Sequence, residues 1–149
     1  MFSFLLRTAN DPVLTVSRLV LGSVMFAHAA QKIPGWFGGS GFAPAIEFYN
    51  GVLGIPVPLA AFAILTEFTA SLALIAGFLS RLAAVGIIGI MVGAITIMIG
   101  PNGFFMNWFG QMEAGREGYE YHLLAITIAG LIAVRGGGAL SVDRLIDPA

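Results

Sequence analysis

The chain has 149 residues, of which 58% are hydrophobic and only 10% charged, with a net charge of −1. Soluble domains carry about 25% charged residues, so this reads as an integral membrane protein, and its length allows about four crossings joined by short connections. The near-zero charge offers nucleic acid no basic surface, and the absence of cysteine excludes disulfides, thiolate nucleophiles, iron–sulfur ligation and any dithiol relay within the chain.

The first predicted crossing spans about residues 12–32. Asn10 or Asp11 caps it, and Pro12 suits its first turn. Its apolar body is interrupted by Arg18 and closed by His28 and Lys32. At about 100° per residue these three fall within roughly 80° of one another. The helix therefore carries one polar stripe, which is expected to face the interior of a bundle. Residues 33–57 stay outside the bilayer. Ile33-Pro34 ends the helix, Trp36 and Phe37 suit an aromatic belt, and residues 43–53 read as a short amphipathic helix on the membrane surface.

The second predicted crossing, residues 58–79, holds the most demanding residue of the chain. Glu67 falls close to its middle. A carboxylate at that depth is costly unless it is protonated, paired or turned toward a wet cavity. At about 1.5 Å per residue, Arg18 lies only about 6 Å from the midplane. Arg18 and Glu67 are therefore expected to form a buried ion pair between the first two crossings.

The third predicted crossing, residues 82–99, has no ionisable group. Gly86, Gly89 and Gly93 give it a small-residue face, expected to press against another helix or a second subunit. The loop that follows is dense in aromatics. Phe104, Phe105, Trp108 and Phe109 fit either an interfacial belt or the cover of a pocket. The fourth predicted crossing, about residues 119–134, opens with Glu120 and His122. These two are about 200° apart around a helix, so with Glu120 facing inward His122 is expected to point away. Arg7, Arg81, Arg135 and Arg144 fall on one side of this arrangement, and Lys32 and Arg116 on the other. The positive-inside rule then favours cytoplasmic termini, with both long loops outside.

Several segments in order resemble the DoxX family of small bacterial membrane proteins. They are HAAQKIPGWFGGSG (residues 28–41), LGIPV (53–57), EFTASLALIAGFLSRLA (67–83), PNGFF (101–105), EGYE (117–120) and GGGALSVD (136–143). The resemblance covers nearly the whole chain. It implies an all-α fold: a single membrane domain over residues 1–149, built as a four-helix transmembrane bundle in the bacterial inner membrane. It draws attention to Arg18, His28, Lys32, Glu67, Arg81 and Glu120, whereas His122 lies outside the matched motif. Ala29 departs from the family pattern, which typically has glycine beside the histidine.

Some members of the family resemble subunits of thiosulfate:quinone oxidoreductase, and others look like membrane partners in oxidative-stress or thiol-redox assemblies. A chain without cysteine suits the quinone role better than a thiol role. The expected site is a pocket at the outer mouth, bounded by His28, Lys32 and Glu120, roofed by Trp36 and Phe104 or Phe105, with Glu67 toward its floor. Lys32 and His28 can donate to a carbonyl or phenolate oxygen, and aromatic rings can hold an apolar ring. Lipid, a redox partner subunit and a second copy of the chain are the expected partners. The alternative is a non-catalytic scaffold whose buried polar groups fix helix register. A third reading is a cofactor or transport protein, including a haem held by His28 and His122. No metal site is expected, because two histidines and scattered carboxylates show no spaced ligand motif.

Overall fold

The structure, a computed structural model, describes residues 2–113 and 115–147, and all of its regular elements are helical. A short α1 (Phe2–Leu6) leads into α2 (Pro12–Lys32), and α3 (Phe42–Glu47) runs on as a π turn over Phe48–Val52. Next come α4 (Val57–Ala76) and α5 (Ser80–Ala94), the latter continued by a π turn (Ile95–Ile99) and a 3-10 turn (Gly100–Asn102). The chain closes with α6 (Glu120–Arg135) and α7 (Val142–Ile146). Three helical stretches are long and apolar enough to cross a membrane: Pro12–Lys32, Val57–Ala76 and Ser80–Asn102. The 16-residue α6 packs beside them.

The four long helices form a closed ring in which α2 touches α4, α4 touches α5, α5 touches α6 and α6 touches α2. Leu21, Met25, Leu74, Ile87, Ala129 and Ile132 fill its centre. Large apolar side chains such as Val13, Phe62, Val85 and Leu124 project outward. Such an inverted surface suits lipid, where the driving force is packing and not escape from water.

One end of the ring is bolted shut by side chains that satisfy helix termini, whose free backbone groups cannot be left bare in an apolar setting. The α4–α5 turn is so tight that α5 has no capping side chain of its own. Asp143, from the distant α7, supplies the cap. Its carboxylate accepts from the Leu79 N–H at 2.6 Å and the Ser80 N–H at 2.9 Å. That double grip holds Leu79 in the left-handed region at φ 48°, a conformation that is costly for a branched residue. Arg18 serves the opposite pole. Its guanidinium donates to the α4 carbonyls of Leu74 and Ile75, and to those of Gly137 (2.9 Å) and Leu140 (2.6 Å). Gly77 must be glycine here: its φ is +72°, and a Cβ would lie 2.9 Å from the Arg18 guanidinium carbon and 2.6 Å from the Ser141 Cβ. Arg81 does the same for α6, donating to the carbonyls of Ala133 at 3.0 Å and Val134 at 2.6 Å.

The expected Arg18–Glu67 ion pair is therefore corrected. Arg18 is fully buried, but its donors are spent on carbonyls at the bolted end. A planar fork with five N–H groups suits a cluster of carbonyls, and neither sequence depth nor charge sign reveals that competition. The glycine face of the third crossing also departs from expectation. A Cβ at Gly86 would meet Thr66 Cγ2 at 3.2 Å, as close packing requires, but a Cβ at Gly89 or Gly93 would meet nothing within 4 Å. The α4–α5 pair is closed near Gly86 and splayed beyond it.

Candidate functional site

The splay opens the far end of the ring into a cavity of about 1060 Å³. Its walls are the last turns of α2, the first half of α4, the second half of α5, the first turn of α6 and the π turn after α3. Both π turns border it, through Phe48 and Tyr49 on one side and Ile97 to Ile99 on the other. Such turns disturb the regular hydrogen-bond ladder and recur at functional sites. Most of the wall is apolar, and apart from Ser40, Thr66 and Glu117 its polar residues fall into one group.

That polar group centres on Lys32 and Glu67. The Lys32 ammonium donates to both carboxylate oxygens, at 2.8 Å to Oε1 and 2.7 Å to Oε2. Glu67 is 2% exposed and the Lys32 side chain 28%. The pair explains how a carboxylate survives at the middle of an apolar helix: its charge is neutralised across the α2–α4 contact. His28 lies one turn before Lys32 and faces the same cavity, with its ring 6.0 Å from that of Tyr121. Tyr49 comes in from the π turn, close enough to feel both charges of the ion pair. Burial pushes its phenol above the ordinary tyrosine value, Lys32 pulls it down and Glu67 pushes it up. Tyr49 is thus a neutral hydroxyl at physiological pH.

His122 completes the set. It lines the cavity, and its Nδ1 is buried with no hydrogen-bond partner. A buried polar nitrogen without a partner is uncommon and calls for an explanation. This overturns the expectation that His122 points away while Glu120 points in. The 200° separation holds, but the helix is turned the other way. The Glu120 carboxylate, outside the cavity, accepts from the Met106 N–H at 3.1 Å and the Trp108 indole N–H at 3.0 Å, so it ties down the aromatic loop, of which Met106 borders the cavity.

The expected roof is corrected as well. Trp36 packs edge-on against Phe26 at 6.3 Å and Phe37 at 6.5 Å, on the outer face of α2. Phe104 packs on Tyr119 at 5.7 Å. Phe105 borders a separate hollow of about 170 Å³ formed by the aromatic loop itself. Of the residues expected at the site, the cavity gathers His28, Lys32 and Glu67, and leaves out Trp36, Phe104, Phe105 and Glu120. Tyr49, Tyr121 and His122 join them. Tyr49 sits in the segment read as a surface helix, and its sequence carries no mark of turning inward. Among the described residues no group of three potential metal ligands occurs.

The arrangement presents an ion pair, two imidazoles and two phenols to a large apolar chamber. It can hydrogen-bond an oxygen-bearing ring while surrounding the rest of that molecule with apolar side chains. The family model for DoxX matches residues 13–100. No curated protein and no solved structure matches the chain.

Proposed function

Since the chain belongs to the DoxX family of membrane proteins, we propose that it is a membrane subunit of a redox or oxidative-stress system that binds a quinone-type or small aromatic ligand in its chamber. The observation that carries this reading is the juxtaposition of His28, Lys32, Glu67, Tyr49 and His122 at the polar end of a cavity of about 1060 Å³. Known pockets of this kind are mostly apolar with a few convergent polar groups, and run to about 1000 Å³. His28 and His122 both line the cavity, and an imidazole N–H can donate to a ligand oxygen.

In this reading residues 1–149 form one domain of four crossings, with α6 as the fourth and α3 with its π turn lying at the interface. Arg81 hydrogen-bonds the Arg7 carbonyl at 3.0 Å, and the Ala9 N–H donates to the Arg135 carbonyl. Arg7, Arg81 and Arg135 thus gather at the bolted end. Positive charge at that end supports cytoplasmic termini in a bacterial inner membrane and a chamber near the outer face.

A scaffold role is the second reading. It is favoured by the two-point contact between Lys32 and Glu67, which leaves each charge satisfied without a ligand. Titrating a soluble quinone analogue into the purified protein separates the two. Saturable binding that His28→Ala weakens about tenfold or more, the loss of one good hydrogen bond to a ring oxygen, supports the ligand reading. A folded protein that binds no quinone returns the function to scaffold.

A further inference from the structure

The chamber is not closed on its flank. Where α4 and α5 splay, it runs without a break from Glu67 and Thr66 past Gly89 and Gly93 to Phe62, Val85 and Ile97. The last three are 67%, 56% and 51% exposed, and they lie on helices apolar enough to cross a membrane. The opening therefore faces hydrocarbon, not water. Its edge on α5 is made of backbone, because a Cβ at Gly89 or at Gly93 would meet no atom within 4 Å. The slot ends at Gly86, where Thr66 and Ala70 approach to 3.2 and 3.7 Å of a virtual Cβ.

Resting on the binding reading above, we propose that the ligand is a lipid-dissolved, tailed molecule that enters sideways between α4 and α5. Its ring stops at Lys32, His28 and His122, and its acyl or isoprenoid tail lies in the slot over Gly89 and Gly93. Three observations converge on a tail. The slot itself is lined by Phe62, Val85, Gly89, Gly93 and Ile97, none of them polar, as an amphiphile's tail requires. The cavity, at about 1060 Å³, exceeds what one ring fills. The slot leads from that head group into the bilayer, and at the same two glycines an added Cβ would meet no other part of the chain within 4 Å, so close helix packing does not account for them.

The test compares two probes on three proteins. The probes are a dimethoxy-methyl-benzoquinone without a tail and the same ring carrying a decyl chain. The proteins are the wild type, Gly89→Leu and Gly93→Leu. Each probe is compared across variants in one detergent, so its partition into micelles cancels. The leucines occupy open space, so both variants are expected to keep the wild-type melting temperature and oligomeric state. Binding of the tailed probe is expected to weaken about tenfold, as overfilling an occupied slot requires. Binding of the tailless ring is expected to stay within about twofold. A diazirine placed in the tail is expected to label residues 59–63 of α4 and residues 89–97 of α5 and the π turn that continues it. Equal effects on both probes, or no effect on either, overturn the lateral slot while the head-group site stands. A variant that changes the oligomeric state assigns the splayed face to a subunit interface and likewise overturns the slot. Failure of both probes to bind wild-type protein overturns the binding reading and the slot together.

Discussion

Lys32 and Glu67 form an ion pair whose carboxylate is buried at the middle of an apolar helix. Removing one member of a buried pair leaves the other uncompensated, at a cost of about 3–5 kcal/mol. Lys32→Met is therefore expected to destabilise the detergent-solubilised protein by about that amount, and adding Glu67→Gln to recover most of it. A denaturant titration of the two single variants and the double variant measures the coupling. Additive losses would show that the pair does not act as a unit. The double variant also separates roles, because it is expected to fold and yet bind a quinone ring weakly. Tyr49 provides a second reading of the same place. Its folded pKa is raised, so its neutral form is the one that folding favours. The resulting stability is fully present below the ordinary tyrosine value of about 10 and is lost as pH climbs through the folded value. An alkaline absorbance titration, compared with Tyr49→Phe, is expected to show one phenol ionising after the ordinary value. A Tyr49→Phe difference that titrates at the ordinary value would place this phenol in water.

At the scale of elements, the two ends of the helices obey different rules. At the closed end, Asp143 caps α5, which has no capping side chain of its own, and Arg18 and Arg81 add charged donors to the last carbonyls of α4 and α6 beside the C-cap glycines Gly77 and Gly136. Arg18→Met is expected to cost about 3 kcal/mol or more, because several buried carbonyls lose charged donors together. Arg18→Lys is expected to restore little, since one ammonium cannot reproduce the fork. Glu67→Gln is expected to give no relief, because Arg18 does not serve Glu67. Rescue by Glu67→Gln would reinstate the Arg18–Glu67 pairing. The sequence made much of this layout legible. Hydropathy marks the long helices, and the burial of Glu67 demands a cation. It could not say which cation, because Arg18 and Lys32 share one stripe of α2 and only the positions of the α4 carbonyls and the 136–143 turn choose between them. The rotation of α6 was equally hidden. A mean hydropathy pattern is nearly uniform around that helix, so Glu120 and His122 could each have faced the centre. The π turns, which border the chamber, leave no periodic signature to read.

For the whole molecule, a bolted end and a splayed end divide stability from binding. Most of the core, Leu21, Leu74, Ile87, Ala129 and Ile132, does not line the chamber, whereas Met25 belongs to both. Substitutions in the chamber at positions other than Lys32 and Glu67 are therefore expected to leave the ring of helices intact. The chain has no cysteine, so in the proposed redox role the electrons would sit on the bound ligand or on a partner. The most direct measurement is mass spectrometry of the small molecules retained by protein purified from its native membrane in mild detergent. A lipid-soluble quinone or phenol is expected at near one equivalent, lost from the Lys32→Met, Glu67→Gln double variant. A folded wild-type protein that retains only bulk phospholipid would contradict the account.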